Sequence, residues 1–352
     1  MRFSPLTRLA ASLGAIVIAL AAAAAAAAGG FVVTPLVSNN GVPGTVTDPN
    51  LVNSWGLVAG PTTPWWVADN GANVATLYTG AGVPISLVVN VGDAPTGTVF
   101  NNTTGFSLPM GGPARFLFDS EAGVISGWNG GTNAQTFRDF SKTGAVFKGL
   151  AIASTSAGPR LFATDFRHSQ IDVFDGSGRL LSEPFYAFND FLIPRNFAPF
   201  GIQAIGSRIY VTYAERMPGS IDEAHGAGLG IVDAYNASTG FLVARIATGG
   251  MLNAPWGLAL APPSFGSAAG DLLVGNFGDG RINAYHLTAG GLFGAFPAGQ
   301  LAGPMGDPIT IDGLWALEFG NGSAAGPTSS LFFTAGPDDE SNGLFGSITA
   351  AP

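Results

Sequence analysis

The sequence has no cysteine and few charged residues. Of its 352 residues, none is Cys and only 11% are Asp, Glu, Lys or Arg. The lack of cysteine excludes a thiol nucleophile, disulfide bonds, a cysteine-ligated metal and a lipoprotein-type cysteine anchor. Histidine is also scarce, and His168, His225 and His286 are too far apart in the chain to show the spacing of a histidine zinc site.

Two common enzyme motifs are missing as well. No Gly-x-Ser-x-Gly elbow occurs, so nothing indicates a serine hydrolase of that type. The glycine-rich residues 275–280 lack the Lys-Ser/Thr pair of a phosphate-binding loop and are typical of a turn. The sequence therefore assigns no catalytic residue.

Basic residues are outnumbered by acidic ones. The chain has 14 Lys and Arg against 23 Asp and Glu, a net charge of −9. Without Arg2 and Arg8, in the segment discussed next, 12 basic residues face 23 acidic ones, which gives −11. Only Lys142 and Lys148 are lysines. This balance argues against nucleic acid or an anionic membrane as a partner and is compatible with cation binding.

The N-terminus is typical of an export signal. Arg2 and Arg8 precede an apolar, alanine-rich run over residues 9–28, and small residues continue through Gly30. We expect a signal peptide over residues 1–28, a mature chain over 29–352, and a periplasmic or secreted location. An uncleaved anchor is the alternative, which the weak hydrophobicity of alanine disfavours. No later segment is long and apolar enough to span a membrane, so we expect no further membrane contact.

Glycine and proline are abundant, with 52 and 24 copies, and they separate short apolar runs. Residues 253–290 show the pattern best: runs at 256–260, 271–275 and 281–285 are bounded by Gly, Pro, Asn or Asp. Such runs predict a three-stranded antiparallel meander. The same pattern recurs at residues 53–80 and 199–235.

Six such units fill the chain with a period of roughly 50 residues. The predicted strands lie at 53–57, 65–70, 75–80 and 86–91; 96–100, 114–119, 123–128 and 135–140; 147–152, 160–165, 170–174 and 180–188; 201–205, 208–213, 230–235 and 241–246; 256–260, 271–275, 281–285 and 291–296; and 312–317, 330–334 and 343–349.

The sixth unit is one strand short, and residues 31–37 form a surplus strand before the first unit. We therefore predict an all-β, six-bladed β-propeller of four-stranded blades, closed by pairing of the N- and C-terminal strands, in one domain over 29–352. A two-sheet sandwich is the alternative, but it does not explain the repeat.

Repeat five resembles the NHL-type propeller repeat. The residues concerned are Pro-Trp-Gly-Leu-Ala at 255–259, Leu-Leu-Val-Gly-Asn at 272–276 and Arg-Ile-Asn-Ala-Tyr at 281–285. The whole mature chain, from Asn-Ser-Trp-Gly-Leu at 53–57 to Gly-Leu-Phe-Gly-Ser-Ile at 343–348, is similar to an uncharacterised family of exported bacterial proteins. The resemblance implies a six-bladed fold and export, and it transfers no catalytic residues. Repeats two and six depart from the NHL pattern, because they lack Pro-x-Gly.

Polar residues flank the predicted strands at one end of the ring. In a propeller, the starts of first strands and the ends of second strands lie at the same mouth of the central channel. The candidates are Asn53, Asn253 and Asp312 at the entries of first strands; Asp69, Asn70, Asp119, Asp165, Glu215 and Asn276 at second-strand exits; and His168, Asp222, Glu223, His225, Asp338, Asp339 and Glu340 in longer loops.

These carboxylate and amide oxygens suit a hard cation such as Ca²⁺, with Asp69, Asp165, Asn253 and Asn276 as candidate ligands. The alternative is that Asp and Asn are there because they tolerate turn geometry. Trp55, Trp256 and Trp315 lie near corresponding positions of first strands, and they either line the mouth to stack on a ligand or pack as core residues between blades. We expect ligand contacts from Asn53, Trp55, Asp69, Asn70, Asp165, Asn253, Trp256 and Asn276.

Three function classes fit this sequence. The favoured one is a monomeric binding scaffold for an extracytoplasmic protein, glycan or small molecule at the channel mouth. The first alternative is a metal-dependent lactonase or esterase that uses the carboxylates and amides of the mouth, with Ca²⁺ as its cofactor. The second is a structural surface component. Fold alone does not decide between them.

Overall fold

In the computed structural model, which describes residues 29–288 and 294–351, six antiparallel sheets dominate. Three short 3-10 helices, Asn70–Ala72, Ser141–Thr143 and Gly266–Ala268, lie in loops.

The sheets are the blades of a propeller, and in blades one to five the strands follow chain order from the inside outward, while in blade six the N-terminal strand lies outside the other three. Blade one comprises Ser54–Val58, Trp65–Asp69, Val74–Tyr78 and Val89–Asn90; blade two Pro95–Phe100, Phe116–Ser120, Val124–Trp128 and Gln135–Asp139; blade three Phe147–Thr155, Gly158–Asp165 and Gln170–Asp175; blade four Phe197–Ile205, Arg208–Glu215, Ile231–Asn236 and Leu242–Thr248; blade five Pro255–Leu260, Leu272–Asn276, Ile282–Leu287 and Ala295–Gln300; and blade six Leu314–Phe319, Leu331–Ala335, Leu344–Ala350 and Phe31–Ser38.

The first strands of the blades form the inner wall of the ring. Each contacts the first strand of the next blade, and that of blade six contacts that of blade one. Buried hydroxyl groups join neighbouring blades: Thr96 donates to the carbonyl of Phe147, and Thr164 to that of Phe200. The six-bladed propeller predicted from the repeats is confirmed.

Pairing of the two ends of the chain closes the ring. Phe31–Ser38 lies antiparallel to Leu344–Ala350, with Phe31 opposite Ala350 and Ser38 opposite Leu344. The register shifts by one residue between Pro35 and Val37, where proline has no N–H to donate. Val46–Thr47 adds a short parallel strand outside Phe31–Ser38, which the sequence did not predict.

Blade three differs from the prediction. Residues 180–188 were expected to form its fourth strand, but only Leu180 makes a bridge, to Phe174. The segment then leaves the sheet at Pro184. In blade five the predicted fourth strand at 291–296 falls partly on residues 289–293, outside the described residues, and the strand seen is Ala295–Gln300. A small hairpin of Ser107–Leu108 and Gly112–Pro113 is inserted in blade two.

The core is divided among the blade interfaces and the ring axis. Five apolar clusters lie between neighbouring blades, and one at the axis joins residues such as Trp55, Phe200, Trp256 and Trp315. Strands with both faces packed in this way read as continuous apolar runs, which is why the first and second strands stood out in the sequence.

The predicted signal peptide, residues 1–28, lies outside the described residues. Among the helices that are described, none has the length and apolar character needed to cross a bilayer.

Candidate functional site

Asn53, just before the first strand of blade one, connects the polar groups at one mouth of the channel. Its Oδ1 accepts hydrogen bonds from Nε1 of Trp55 and of Trp315, both at 3.0 Å. Its Nδ2 donates to Glu340 Oε2 at 2.8 Å and to Asn70 Oδ1 at 3.2 Å. The residue is 3% exposed and has a φ of 45°, a conformation that asparagine tolerates. Asn53 and Asn70, both predicted as site residues, therefore lie together.

Three indole rings form the floor of this mouth. Trp55 and Trp315 stack with centroids 3.6 Å apart, and Trp256 meets them edge-on at 6.2 and 5.9 Å. Their exposures are 1%, 0% and 9% for Trp55, Trp315 and Trp256. Gly336 leaves room for the arrangement, because a Cβ there would lie 2.3 Å from Asn53 Oδ1. The rings pack at the axis, as in the second of the two alternatives for these tryptophans, and lie beneath the polar groups.

Lys148 occupies the centre of the mouth. It is the second residue of the first strand of blade three, and its Nζ lies 2.6 Å from Glu121 Oε1 and 3.9 Å from Asp222 Oδ1. The ammonium group also lies 5.1 Å from the ring of Trp55 and 5.8 Å from that of Phe166, distances at which a cation is attracted to a ring. The side chain is 2% exposed. A buried lysine is stable in this place only because carboxylates surround it.

The loop after the second strand of blade four brings further charge to the mouth. Glu223 is 4% exposed, and its Oε1 lies 3.8 Å from Nε2 of the half-exposed His225. The ring of His225 packs edge-on against Phe277 at 5.1 Å, and Phe277 stacks on Trp315 at 3.9 Å. The loop therefore rests on the aromatic floor.

The charged groups at the mouth shift one another's pKa values. Burial by itself lowers the pKa of Lys148, but the carboxylates of Glu223, Glu121 and Asp222 outweigh it, so the net change in its pKa is upward. The Glu223 carboxylate raises the pKa of His225 against the effect of burial. Burial, followed by repulsion from Glu223, raises the pKa of Glu340 to about 7. Lys148 is thus held as a cation, while Glu340 changes charge near neutral pH.

The mouth collects polar or aromatic groups from all six blades. They are Asn53 and Asn70 from blade one, Glu121 from blade two, Lys148 from blade three, Asp222, Glu223 and His225 from blade four, Phe277 from blade five, and Trp315 and Glu340 from blade six.

Three predicted site carboxylates face the interior of their blades instead. Asp69 Oδ2 accepts from Thr76 N and Oγ1, and burial raises its pKa well above the usual value. Asp119 Oδ1 accepts from Thr96 Oγ1 and Gly97 N, and burial raises its pKa to about 7. Neither Asp69 Oδ1 nor Asp119 Oδ2 has a hydrogen-bond partner among the described residues.

Asp165 is buried at the end of the second strand of blade three. Its Oδ2 lies 2.6 Å from Nδ1 of His168, and its Oδ1 accepts from the backbone N–H of Val146 and of His168. The pair orders the turn that follows the strand.

Asn253 and Asn276 brace backbone at blade five. Asn253 Oδ1 accepts from Gly226 N at 2.7 Å, while Asn276 Oδ1 accepts from Asn253 N at 3.2 Å and its Nδ2 donates to Met251 O and to Asp279 Oδ1. Asp312, from the same set of candidates, accepts from the N–H of Asp338 at the rim. Glu215 holds the blade-four loop through its carbonyl, which accepts from Ala224 N.

The predicted metal ligands Asp69, Asp165, Asn253 and Asn276 thus belong to separate hydrogen-bonded groups in blades one, three and five. Within residues 29–288 and 294–351, no set of three or more His, Asp or Glu side chains is arranged so that it could hold a metal ion.

The sequence analysis missed Lys148 and Glu121. In the structure Lys148 reaches the predicted candidates Asp222, Glu223 and Glu340 from another blade. Glu121 directly follows the second strand of blade two in the structure, as Asn70 follows that of blade one. The strand predicted from the sequence ended at residue 119, two residues before Glu121.

Comparison with known proteins gives relatives for the whole propeller. No family model matches the sequence. The solved structures that share the fold include a streptogramin B lyase, at 11% identity and a TM-score of 0.51 over 92% of this chain and 99% of that one. A catalytically inactive variant of virginiamycin B lyase from Staphylococcus aureus with quinupristin has 12% identity and a TM-score of 0.52, over 91% of this chain and 100% of that chain. At such identities the likeness shows the fold alone.

Two proteins of Acanthamoeba polyphaga mimivirus are more similar in sequence. Protein R648 is 34% identical over 336 residues, which cover 89% of this chain and 78% of R648. Protein L690 is 33% identical over 340 residues, which cover 89% of this chain and 84% of L690. Both are named as uncharacterized proteins, and both are viral, so the bacterial and NHL-like parts of the resemblance stay predictions. The chain belongs to the protein family that includes mimivirus R648 and L690.

Proposed function

We propose that this chain is an exported β-propeller binding scaffold that holds the cationic group of a ligand at the polar mouth of its channel. The observation that carries the proposal is the convergence of all six blades on one partly exposed site in which carboxylates outnumber cations. Glu121, Asp222, Glu223, Asp339 and Glu340 contribute negative charge there, and Lys148 and His225 contribute positive charge.

The charge balance supports a cationic ligand over an anionic one. Glu121 and Glu340 are partly exposed, and Asp222 is 54% exposed, so an incoming group can reach them. The carboxylates raise the pKa of both His225 and Lys148, which shows that the local field favours positive charge. An ammonium or guanidinium group at the exposed side of these carboxylates would form charge-assisted hydrogen bonds with them.

A metal-dependent hydrolase is the alternative. The same carboxylates would have to hold a divalent ion beside Lys148 Nζ, whose charge repels it. An organic cation, with its charge spread over a larger volume, can instead bind at the exposed side of the carboxylates, farther from Lys148.

The proposal is tested by calorimetric titration of the processed protein with spermidine, with CaCl₂ and with a neutral oligosaccharide. We expect spermidine to bind, and Glu340→Gln to weaken it by about tenfold, the effect of losing about 1.4 kcal/mol. Asp307→Asn, which removes the same charge from an exposed outer loop, is the matched control and should leave the affinity unchanged.

Two results would count against the proposal. Binding of the oligosaccharide but not of spermidine would remove the cationic part. Tight Ca²⁺ binding, together with metal in protein purified without chelator, would favour the hydrolase.

Export is tested separately by mass spectrometry of the extracytoplasmic fraction. We expect the mature N-terminus between Ala28 and Gly30, directly before the strand that closes the ring. Protein that still begins with Met1 in that fraction would favour an uncleaved anchor.

A further inference from the structure

We propose that the outer edge of blade three binds an extended, apolar peptide segment of a partner protein that carries a basic residue. The peptide pairs with the backbone of Ile171 and packs its side chains against exposed aromatic residues on the neighbouring loop. This site lies on the outside of the ring and does not involve the channel mouth.

In blade three the third strand is the outermost one, whereas a fourth strand covers the third in each of the other blades. In the described part of the chain blade three has three strands, whereas each of the other blades has at least four. At the far end of its outer strand, Gln170–Asp175, the edge is covered, because Leu181 N donates to Val173 O and Asp175 N donates to Arg179 O. These bonds show that the backbone N–H and C=O groups of the odd-numbered residues in this strand point away from the sheet.

The near end of the same strand is uncovered. By the alternation of an antiparallel ladder, the N–H and C=O of Ile171 point outward, and Ile171 is partly exposed, whereas Val173 is 1% exposed and out of a partner's reach. Within the described residues, the N–H and C=O of Ile171 have no hydrogen-bond partner. Such groups are the template to which an added strand pairs.

The loop after the strand leaves space beside this edge. Residues 169–173 on one side and 180–189 on the other enclose a cavity of about 350 Å³. A second cavity of about 260 Å³ shares Ser169, Gln170 and Ile171 and extends to Pro199 and Tyr213 of blade four. The free backbone groups therefore face a groove with room for side chains.

The outer wall of the groove is apolar and unusually exposed. Phe185, which lines the groove, is 79% exposed, and Phe191 beside it is 67% exposed. Phe185 packs on Phe191 at 6.0 Å, and Tyr186 stacks on Phe241 of blade four at 4.8 Å. A contiguous exposed apolar patch of this kind marks an interaction surface.

The charges in the groove specify the partner further. Asp172, Glu183, Asp190 and Arg195 line it. Glu183 is paired with Arg160, and Asp190 with Arg245, whereas among the described residues the Asp172 carboxyl is bonded by the amide of Gln170 alone. A lysine or arginine on the peptide would offset Asp172. The outward backbone N–H and C=O of Ile171 favour a peptide over a lipid surface, because pairing with a strand edge needs a partner backbone.

The test uses a fluorescent, end-blocked peptide in which valine alternates with threonine and each end carries a lysine. Binding to the processed protein is followed by fluorescence polarisation. We expect saturable binding, at least tenfold weaker for a peptide N-methylated on the residues that face the edge. The same peptide N-methylated on the alternate residues is the matched control and should bind as well as the parent.

Variants of the protein test the same contact from the other side. Ile171→Pro removes one outward N–H, and Ile171→Val keeps it, so only the first should weaken binding by about tenfold. If Ile171→Pro lowers the melting temperature, the exposed pair Phe185→Ser and Phe191→Ser replaces it, with the same expected loss.

Three outcomes would overturn the proposal. The parent peptide does not bind at millimolar concentration, the two N-methylated peptides bind equally well, or these variants leave binding unchanged. Adsorption to anionic vesicles that depends on Phe185 and Phe191, without peptide binding, would assign the patch to a membrane instead.

Discussion

The ammonium group of Lys148 lies 2.6 Å from the carboxylate of Glu121, although the two residues belong to different blades and Lys148 is 2% exposed. The pair joins blades two and three across the mouth of the channel. Glu121 in turn accepts a hydrogen bond from Asn70, which is bonded to Asn53 and through it to Glu340. One connected polar network therefore spans the mouth, and its cation comes from the protein itself.

We expect Lys148→Met to destabilise the protein by about 3–5 kcal/mol, because it leaves Glu121 and Glu223 without their buried cation. The free energy of unfolding in urea measures the loss. Lys142→Met is the matched control: Lys142 is exposed, and its loss should change stability by less than about 0.5 kcal/mol. The double variant Lys148→Met with Glu121→Gln should recover part of the loss. Equal stability of the two methionine variants would show that the ion pair has no structural role.

We expect Asn53→Ala to cost about 2–4 kcal/mol, since it leaves two buried indole N–H groups and Glu340 without a partner. Asn53→Asp retains the acceptor for the indoles but places a carboxylate beside Glu340. Its destabilisation should therefore grow as pH rises through about 7, where Glu340 loses its proton. Tryptophan fluorescence and unfolding curves at pH 5 and pH 8 follow both effects. A pH-independent loss in Asn53→Asp would contradict the contact.

We expect Glu318 to make the free energy of unfolding depend on pH. Its side chain faces the channel and accepts a hydrogen bond from Gln203 at 2.9 Å. Burial raises its pKa from 4.5 to about 7. The folded state thus binds the proton more tightly than the unfolded state, so this contribution is complete below pH 4.5 and is lost as pH rises through about 7. Glu318→Gln should remove the loss, on the order of 2–3 kcal/mol.

The measurement is the difference in unfolding free energy between wild type and Glu318→Gln across this pH range. Asp119 and Glu340 also titrate near 7, but they do so in both proteins and cancel. Gln203→Met is the companion variant. It removes a hydrogen bond that lowers the pKa of Glu318, so the loss should move to higher pH. A difference that does not change with pH would contradict the shifted pKa.

Deletion of residues 29–38 should leave the outer edge of Leu344–Ala350 unpaired and cause aggregation, detected by size-exclusion chromatography. A protein that lacks only residues 1–28 keeps the closing strand and should stay monomeric. An unchanged melting curve for the protein that lacks residues 29–38 would contradict closure by this strand.

The repeats of the sequence were enough to predict the ring and its closure. Strands such as Trp65–Asp69 and Leu272–Asn276 are buried on both faces, so their apolar runs are unambiguous. The prediction of a fourth strand in blade three was wrong. Residues 180–188 have a strand-like composition, but after the turn at Asp175 and Gly178 only Leu180 and Leu181 lie at the sheet edge before Pro184.

The mouth was predicted only in part. Topology alone located Asn53, Asn70 and Glu340, because strand ends are visible in the sequence. Asp119 was chosen where Glu121 reaches the mouth: Asp119, two residues earlier, faces the interior of its blade. Lys148 was hidden inside an apolar strand, where nothing local shows that carboxylates from other blades surround it.

The pairing of Phe31 with Ala350 also constrains how the protein is made. The first strand synthesised is the last to find its partner, so the native contact with the largest sequence separation forms at the end of folding. Such non-local pairing slows folding and leaves two strand edges open until then. A chain that terminates a few residues early would contain five complete blades and still fail to close, so complete synthesis is a condition of a stable ring.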